Sequence, residues 1–197
     1  MVRDTGGEKE RIIDMTRLSE GESEELIQLG VLSKEGVTQP SPAPPHKRPL
    51  VPKRAVHASE VLNEAYDYSP RPSSFSRGLV FEVKGYKVLL ISGTASVDEK
   101  GGSIHVGDFR AQCWRTYRNI TGLLESEGMT WQDVVRMTCY LRDIERDYKD
   151  FNEIRTTFFS WLNLDPLPAS TGIQARLCRE DLLVEMEGIA ISPLESK

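Results

Sequence analysis

The strongest constraint on this chain is a series of hydrophobic patterns between residues 79 and 191. Apolar residues at every second position predict a β-strand, and apolar residues at the i, i+3 and i+7 spacing predict a helix. The predicted elements follow one another in the order β-β-α-β-α-β-β. The strands are expected at Leu79–Val83, Tyr86–Ser92, Asp133–Arg142, Thr171–Leu177 and Leu183–Ile191, and the helices between Asp108 and Gly128 and at Tyr148–Leu162.

This order of elements predicts a two-layer α+β domain with both helices on one face of a mixed sheet. The other face would expose apolar side chains, among them Val135 and Leu141, if the chain stayed alone. We therefore expect the chain to assemble with copies of itself. The helix faces that cover the sheet are expected to carry Trp114, Tyr117, Thr121 and Leu124 in the first helix and Phe151, Ile154, Phe158 and Trp161 in the second.

Residues 1–72 differ from the rest of the chain in hydrophobic pattern and proline content. They are interpreted as an N-terminal arm before a main domain at residues 73–192. Apolar residues are spaced between Ile12 and Leu29, and Ser23 is expected to cap a short helix that ends at Gly30. The run QPSPAPPHKRPLVPK that follows is rich in proline, which removes backbone donors and favours an extended linker or strap. We expect this arm to dock on the main domain or on a neighbouring subunit.

The overall charge argues against some partners. The chain has 25 lysines and arginines against 30 aspartates and glutamates, a net charge of −5, so no global field attracts a nucleic-acid backbone. No apolar run is long enough to cross a bilayer, and residues 1–16 lack the apolar core of a secretory signal. We therefore expect a cytoplasmic protein without nucleic-acid or membrane partners.

The three cysteines and three histidines are scattered singly along the chain, which argues against a disulfide framework, a metal site or a metal cofactor. Cys113 and Cys139 are expected in the core. Cys178 is expected to be a buried, inert thiol, since a nucleophilic cysteine needs a base or a cationic neighbour. His105 is expected on the surface of a loop.

Six short runs follow one another along the chain: Ser92-Gly93, the predicted helix from Gln112 to Gly128, Asp133 to Asp143, Asn152 to Phe159, Pro168-Ala169 and Val184 to Ala190. In this order they resemble the YjgF/RidA family, also called endoribonuclease L-PSP. The resemblance implies the fold of bacterial chorismate mutase and a homotrimer with clefts between subunits. It also implies hydrolysis of reactive imines and enamines of amino acids, such as 2-aminoacrylate, to 2-keto acids and ammonia.

The resemblance implies roles for individual residues in a substrate site. Glu185 matches the family glutamate that positions or activates water, and Ser92 and Asn152 match a family serine and asparagine. Phe75 stands where the family has a tyrosine, so it keeps an aromatic wall without the hydroxyl. Gly172 stands where many members have a cysteine.

One position departs from the family pattern. Ser170 stands where the family has the arginine that holds the substrate carboxylate. A serine hydroxyl cannot replace a bidentate guanidinium, which counts against the standard imine deaminase activity. Arg176, expected on the same strand face as Ser170, and Arg77 are candidates for a substitute cation. A solvated surface role is the competing interpretation of each.

Glu185 and Glu187 are expected on one strand face, because residues i and i+2 point the same way. Two carboxylates there would share a proton and raise one pKa, which suits acid–base chemistry. The alternative is a pair that is solvated, or bridged at a subunit interface.

Four further runs resemble the C-terminal half of chorismatases, which keeps a cyclic carboxylic acid open as the ligand. Two functions therefore stay open: a Rid-like hydrolase or deaminase of a small carboxylic acid, or a trimeric binding or regulatory module without chemistry. The runs are Phe75 to Gly78, Ser92 to Ser96, His105 to Asp108 and Cys178 to Glu185.

Overall fold

The computed structural model describes residues 18–37, 39, 51–58, 60–65 and 73–194. The chain forms two compact units, Met1–Leu50 and Val51–Lys197. The proline-rich run from residue 40 to residue 50 and the apolar residues Ile12, Ile13 and Met15 lie outside the described residues. None of the described helices is long and apolar enough to span a membrane.

The first unit contains helix α1, Glu20–Gln28. Its cap is Ser19, whose hydroxyl accepts from the Glu22 backbone at 3.2 Å while the Glu22 carboxylate accepts from the Ser19 backbone at 2.8 Å. This reciprocal capping box satisfies two helix-end donors. The prediction of Ser23 as the cap was wrong, because Ser23 lies inside the helix and its hydroxyl donates to the Ser19 carbonyl. Gly30, with φ +72°, follows the helix as predicted.

The second unit is built on a six-stranded mixed sheet, which confirms the predicted α+β fold. The strands lie in the order β1-β2-β3-β6-β4-β5, where β4 and β5 are parallel and all other neighbours are antiparallel. The elements are β1 Lys53–Ala55, β2 Gly78–Val83, β3 Tyr86–Ala95, α2 Phe109–Glu125, a short 3₁₀ helix Trp131–Asp133, β4 Val134–Leu141, α3 Ile144–Trp161, β5 Ala169–Gln174 and β6 Val184–Pro193.

The β2–β3 hairpin turns at Lys84-Gly85, as the sequence predicts. Both residues have positive φ, +46° and +85°. Two positive φ values are what a two-residue hairpin turn requires to match the strand twist. The turn places Val83 opposite Tyr86 and so sets the register of the whole pair.

Helices α2 and α3 cover one face of the sheet and share a single apolar core with it. Tyr117 and Phe151 are buried there, as predicted. Trp114 and Trp161 were wrongly predicted as core, since they are 40% and 74% exposed. The buried stripe of α2 is centred beside Trp114, and Trp161 is the last residue of α3. Both rings instead pack on Phe158, with centroids 6.1 Å apart in each pair.

The middle of strand β4 points Met137 and Leu141 toward the helices, so the prediction of an exposed Leu141 was wrong. Val135 is 44% exposed, as predicted, but the reason is a break in the register with β6 between Val134 and Arg136. The break turns Val134 into the core. The other side of the sheet, here called the open face, mixes apolar and polar side chains. It carries Leu90, Arg136, Thr138, Tyr140, Ile173, Glu187 and Ile189.

Residues 51–58 and 60–65 pack on the sheet domain and are called the strap. β1 pairs with β2, with Arg54 opposite Val80, and Val56 and Leu62 are buried in the common core. Gly122 of α2 leaves room for Val61, because a Cβ at Gly122 would lie 2.5 Å from the Cγ2 of Val61. The division of the chain at residue 73 stays a prediction.

Candidate functional site

Glu185 lies in β6 opposite Tyr140 of β4 and Ala95 of β3. Its carboxyl group rests against the backbone of Gly93, where an added Cβ would come within 2.0 Å of Oε1. Any other residue at position 93 would displace the carboxyl group. The position of Glu185 therefore depends on a glycine in a strand whose pairing with β6 is irregular between Ile91 and Thr94.

The surroundings of Glu185 raise its pKa above the ordinary value of 4.5. Burial is the larger cause, since it disfavours the charged form, and the charge of Glu187 adds to it. Arg77 and Arg179 act in the opposite direction. Glu187 accepts a hydrogen bond from the Tyr140 hydroxyl at 2.9 Å, so the two glutamates have different partners. Glu185 is thus a carboxyl group that holds its proton more readily than an ordinary glutamate.

Three more of the predicted site residues are joined by contacts to one another and to Gly93, against which Glu185 rests: Ser92 precedes Gly93, and Arg77 and then Phe75 are linked to Ser92. The Ser92 hydroxyl donates to the Ser76 carbonyl at 2.7 Å, and the Ser92 backbone N–H donates to the Arg77 carbonyl at 3.0 Å. The guanidinium of Arg77 lies 5.2 Å from the centroid of the Phe75 ring. Phe75, Arg77, Ser92 and Glu185 are called the Glu185 cluster.

The strap holds Arg77 in this cluster. Nε of Arg77 donates to the Asn63 carbonyl at 3.1 Å, and its backbone N–H donates to the Glu64 carboxylate at 3.3 Å. Both Arg77 and Glu64 are buried. Arg77 is therefore a fixed, buried cation beside Glu185.

The other predicted site residues gather elsewhere, around an arginine that sequence reasoning missed. Nη1 of Arg155 donates to the Ser170 hydroxyl oxygen at 3.2 Å, and Nη2 donates to Oδ1 of Asn152. Gly172 lies two residues further along β5, and a Cβ there would meet only Cε2 of Tyr148, at 3.7 Å. Asn152, Arg155, Ser170 and Gly172 are called the Arg155 cluster.

Three members of the cluster, Arg155, Ser170 and Gly172, line a cavity of about 890 Å³ between α3 and β5. Asn152 and Arg155 are three residues apart in α3, and such residues are neighbours on a helix surface. This spacing was visible in the sequence. The contact between Arg155 and Ser170 was not visible in the sequence, because this contact depends on the parallel pairing of β5 with β4.

Two predictions about single residues were wrong. Arg176 does not share a strand face with Ser170, because β5 ends at Gln174. Its side chain is 86% exposed and lies 4.0 Å from Glu180. Cys178 is exposed rather than buried. His105 is exposed, as predicted, and Cys113 and Cys139 are buried, as predicted. In the described part of the chain, no group of three or more His, Cys, Asp or Glu side chains is placed to hold a metal ion.

The two clusters lie on opposite faces of the sheet. Ser170 pairs with Met137, whose side chain is buried under the helices, whereas Glu185 pairs with Tyr140 on the opposite face. Glu185 and Ile173 are two strands apart, and Ser170 is three residues from Ile173. At about 4.8 Å per strand, Glu185 and Ile173 are separated by about 10 Å across the sheet, and at about 3.3 Å per residue, Ile173 and Ser170 are separated by about 10 Å along the strand. A ligand of a few atoms cannot contact both clusters of one chain.

These features define the class of protein. A mixed sheet covered on one face by two helices, with a glutamate held against a strand glycine, is a chorismate mutase-like α+β domain. Residues 71–192 match the family model described as Endoribonuclease L-PSP. The match spans more than half of the chain, so the chain belongs to the endoribonuclease L-PSP family, which is the YjgF/RidA family.

Relatives and solved structures agree with this assignment. A RutC family protein from Pyrococcus abyssi is 32% identical over 108 residues, which cover 55% of this chain and 81% of that protein. A 2-iminobutanoate/2-iminopropanoate deaminase from Salmonella typhimurium is 27% identical over 104 residues, 53% of this chain and 79% of the deaminase. The crystal structure of the YjgF gene product from E. coli has a TM-score of 0.56 and 22% identity, and the match covers 70% of this chain and 98% of that chain. The structural likeness shows the fold.

Proposed function

We propose that this chain is a cytoplasmic Rid-like hydrolase or deaminase that acts on a small carboxylic acid, either an imine or enamine or a cyclic acid. The observation that carries the proposal is the partly buried carboxyl group of Glu185, held against Gly93 beside Arg77. A carboxyl group whose pKa is raised exchanges its proton more readily near neutral pH than an ordinary glutamate. The deaminase from Salmonella typhimurium supports an imine as substrate.

For an imine, Glu185 has two successive tasks. The imine enters in its protonated form. The carboxylate of Glu185 accepts a proton from water while the water oxygen bonds to the imine carbon, and the C=N electron pair moves to the nitrogen, which becomes a neutral amine. The carboxyl group then returns its proton to the nitrogen as the C–N bond breaks. The hydroxyl group of the intermediate passes its proton to the departing ammonia, which leaves as ammonium, and becomes the carbonyl of a keto acid. One water is consumed in the whole sequence.

The site is proposed to be a cleft between subunits of a homotrimer. Within one chain, the two clusters lie on opposite faces of the sheet and are offset by about 10 Å across the strands and about 10 Å along them. A shared site therefore needs the Glu185 cluster of one subunit and the Arg155 cluster of another. The open face carries exposed apolar residues, among them Leu90 and Ile173, that another copy would bury. Analytical ultracentrifugation should find three chain masses, and a monomer would contradict this assembly.

Keto-acid release tests the activity. 2-Aminoacrylate is generated enzymatically, and release is measured for the wild type, Glu185→Gln and Glu82→Gln. Loss of general acid–base help should slow Glu185→Gln by about 10²- to 10⁴-fold. Glu82→Gln is the matched control, because Glu82 is an exposed strand carboxylate outside both clusters. Equal rates of keto-acid release for the wild type and Glu185→Gln would contradict the proposal.

Ser170 favours a second candidate, a non-catalytic binding or regulatory trimer. The position that carries the family's carboxylate-binding arginine here carries a hydroxyl group. This candidate predicts that the wild type binds small acids but does not speed the decay of imines or the hydrolysis of chorismate. Turnover that Glu185→Gln abolishes would reject it.

A further inference from the structure

Arg155 is held in place by two neutral oxygen acceptors. The side chain runs along α3, with its guanidinium carbon 5.2 Å from the centroid of the Phe151 ring one turn earlier. From there Nη2 reaches Oδ1 of Asn152 and Nη1 reaches the Ser170 hydroxyl. A guanidinium has five N–H donors, so these two bonds orient the group and leave three donors.

Among the described residues, no acid pairs with the charge of Arg155. In the described ranges, no Asp or Glu oxygen lies within 4.0 Å of its guanidinium nitrogens. Arg54, Arg110, Arg115 and Arg146, by contrast, are each paired with a carboxylate at hydrogen-bond distance. Arg155 is partly buried, and a partly buried charge without a counter-charge favours an anion nearby.

The guanidinium faces space that a ligand can enter. Arg155, Ser170 and Gly172 line the cavity of about 890 Å³, and the wall opposite Gly172 is the Tyr148 ring. Leu167 supplies an apolar part of the lining. Asp165 is also in the lining and would repel an anion on its side, so the favourable place for a carboxylate is at Arg155.

We infer that Arg155 binds the carboxylate group of the substrate in place of an arginine at position 170. The inference rests on the proposed function and names the cation that the proposed site needs. Nη1 of Arg155 lies 3.2 Å from the Ser170 oxygen, so a guanidinium that enters from α3 occupies the space next to position 170. Ser170 then orients the cation. The ligand class is a small carboxylic acid whose charged end contacts the planar donor fork.

Calorimetric titration with matched acid and amide pairs tests this assignment. The probes are pyruvate against pyruvamide and benzoate against benzamide, which differ in charge but little in shape. The wild type should bind at least one acid about 10-fold or more tightly than its amide, since bonds to a charged group are the stronger ones. Arg155→Gln should remove this preference. Arg118→Gln, the same change on an exposed arginine of α2 outside both clusters, should keep it.

A double variant separates the position of the charge from the stability of the fold. In Arg155→Gln/Ser170→Arg, the guanidinium returns to the same space from β5, and the preference for acids should return. A double variant that melts like the wild type and binds acid and amide equally would overturn the inference. So would a wild type without any preference, or an Arg155→Gln variant that keeps it. If Arg155 had a purely structural role, Arg155→Gln would change the melting temperature and not the preference for acids over amides.

The outcomes distinguish this inference from the proposed function. If the wild type hydrolyses imines and Arg155→Gln leaves KM and the acid preference unchanged, the activity stands and the role of Arg155 falls. If no imine or cyclic acid is turned over but the acid preference depends on Arg155, the binding role stands and the catalytic proposal falls.

Discussion

The Glu185 cluster and the Arg155 cluster are built in contrasting ways. Glu185 lies on an inner strand, with its carboxyl group against the Gly93 backbone and a buried arginine beside it. Arg155 lies on a helix, reaches across to the edge strand β5, and is held by single hydrogen bonds. A carboxyl group packed against the backbone of an inner strand has one possible position. A guanidinium on a long side chain at the sheet edge can reach the same space from a neighbouring element. The contrast fits the inference that Arg155 on α3 serves as the carboxylate-binding cation while the glutamate stays on β6.

The largest expected effect compares two glycines, one in each cluster. Gly93→Ala puts a Cβ 2.0 Å from Oε1 of Glu185, so the carboxyl group must move. Activity should fall by about 10²-fold or more, because a displacement of about 1 Å is enough for such a loss. Gly172→Ala meets only Tyr148, at 3.7 Å, and should change activity less than about threefold. Initial rates check both, and similar losses in the two variants would contradict the contrast.

The next effect concerns the strap, which supports one cluster only. Gly122→Ala forces a Cβ against Val61, and we expect a destabilisation of about 1–2 kcal/mol, since overpacking outweighs the gain in helix propensity. Because the strap holds Arg77, activity should fall along with stability, while the acid preference at Arg155 should stay unchanged. Urea unfolding and the acid–amide titrations measure the two effects. Val61→Ala/Gly122→Ala removes the closest clashing atom, the Cγ2 of Val61 at 2.5 Å, and leaves the Cβ of residue 61 at 2.9 Å, so it relieves the clash in part and is the control. A double variant no more stable than Gly122→Ala would contradict the mechanism.

A smaller effect is expected on the pH dependence of activity. The charge of Glu187 raises the pKa of Glu185, so Glu187→Gln should lower that pKa and move the acidic limb of the kcat/KM profile to lower pH. Glutamine keeps an acceptor for the Tyr140 hydroxyl. Arg179→Gln should move the same limb to higher pH, because Arg179 lowers the pKa of Glu185. Shifts in the same direction for both variants would contradict this account.

The smallest effect is on stability. Because the pKa of Glu185 is raised in the folded chain, the folded state holds the proton more tightly than the unfolded state. The contribution of Glu185 to stability therefore decreases as pH rises above 4.5. Glu185→Gln should melt slightly higher than the wild type at pH 7, and the difference should vanish below about pH 4. Arg155→Gln should show no pH-dependent gain in melting temperature relative to the wild type. Melting curves of both variants at the two pH values measure this difference.

The sequence predicted the features of this fold that depend on local periodicity. The order of elements, the Lys84-Gly85 turn and the common face of Glu185 and Glu187 follow from patterns within a few residues. Helix starts were less accurate: α3 begins at Ile144, behind the cap Asp143, rather than at Tyr148. The cap was present in the sequence, but the first turn has too few apolar residues to show the helical period.

The candidate site was harder to predict, because its contacts join distant segments. The exposed Val135 and the carboxyl group of Glu185 both depend on irregular strand pairing, which no alternation pattern shows. Arg155 meets Ser170 only because β5 runs parallel to β4 and brings its start beside α3. The strap was interpreted as part of an arm, because a three-residue strand is too short for an alternation pattern.

The different exposure of the three cysteines has a practical consequence. Burial raises the pKa of the Cys113 and Cys139 thiols, so both resist alkylation, whereas Cys178 is exposed. A maleimide dye would therefore attach at one position in the folded chain without any engineered cysteine. Cys178 directly precedes Arg179, whose charge lowers the pKa of Glu185, so the fluorescence of the dye would test whether ligand binding changes the segment that carries Arg179.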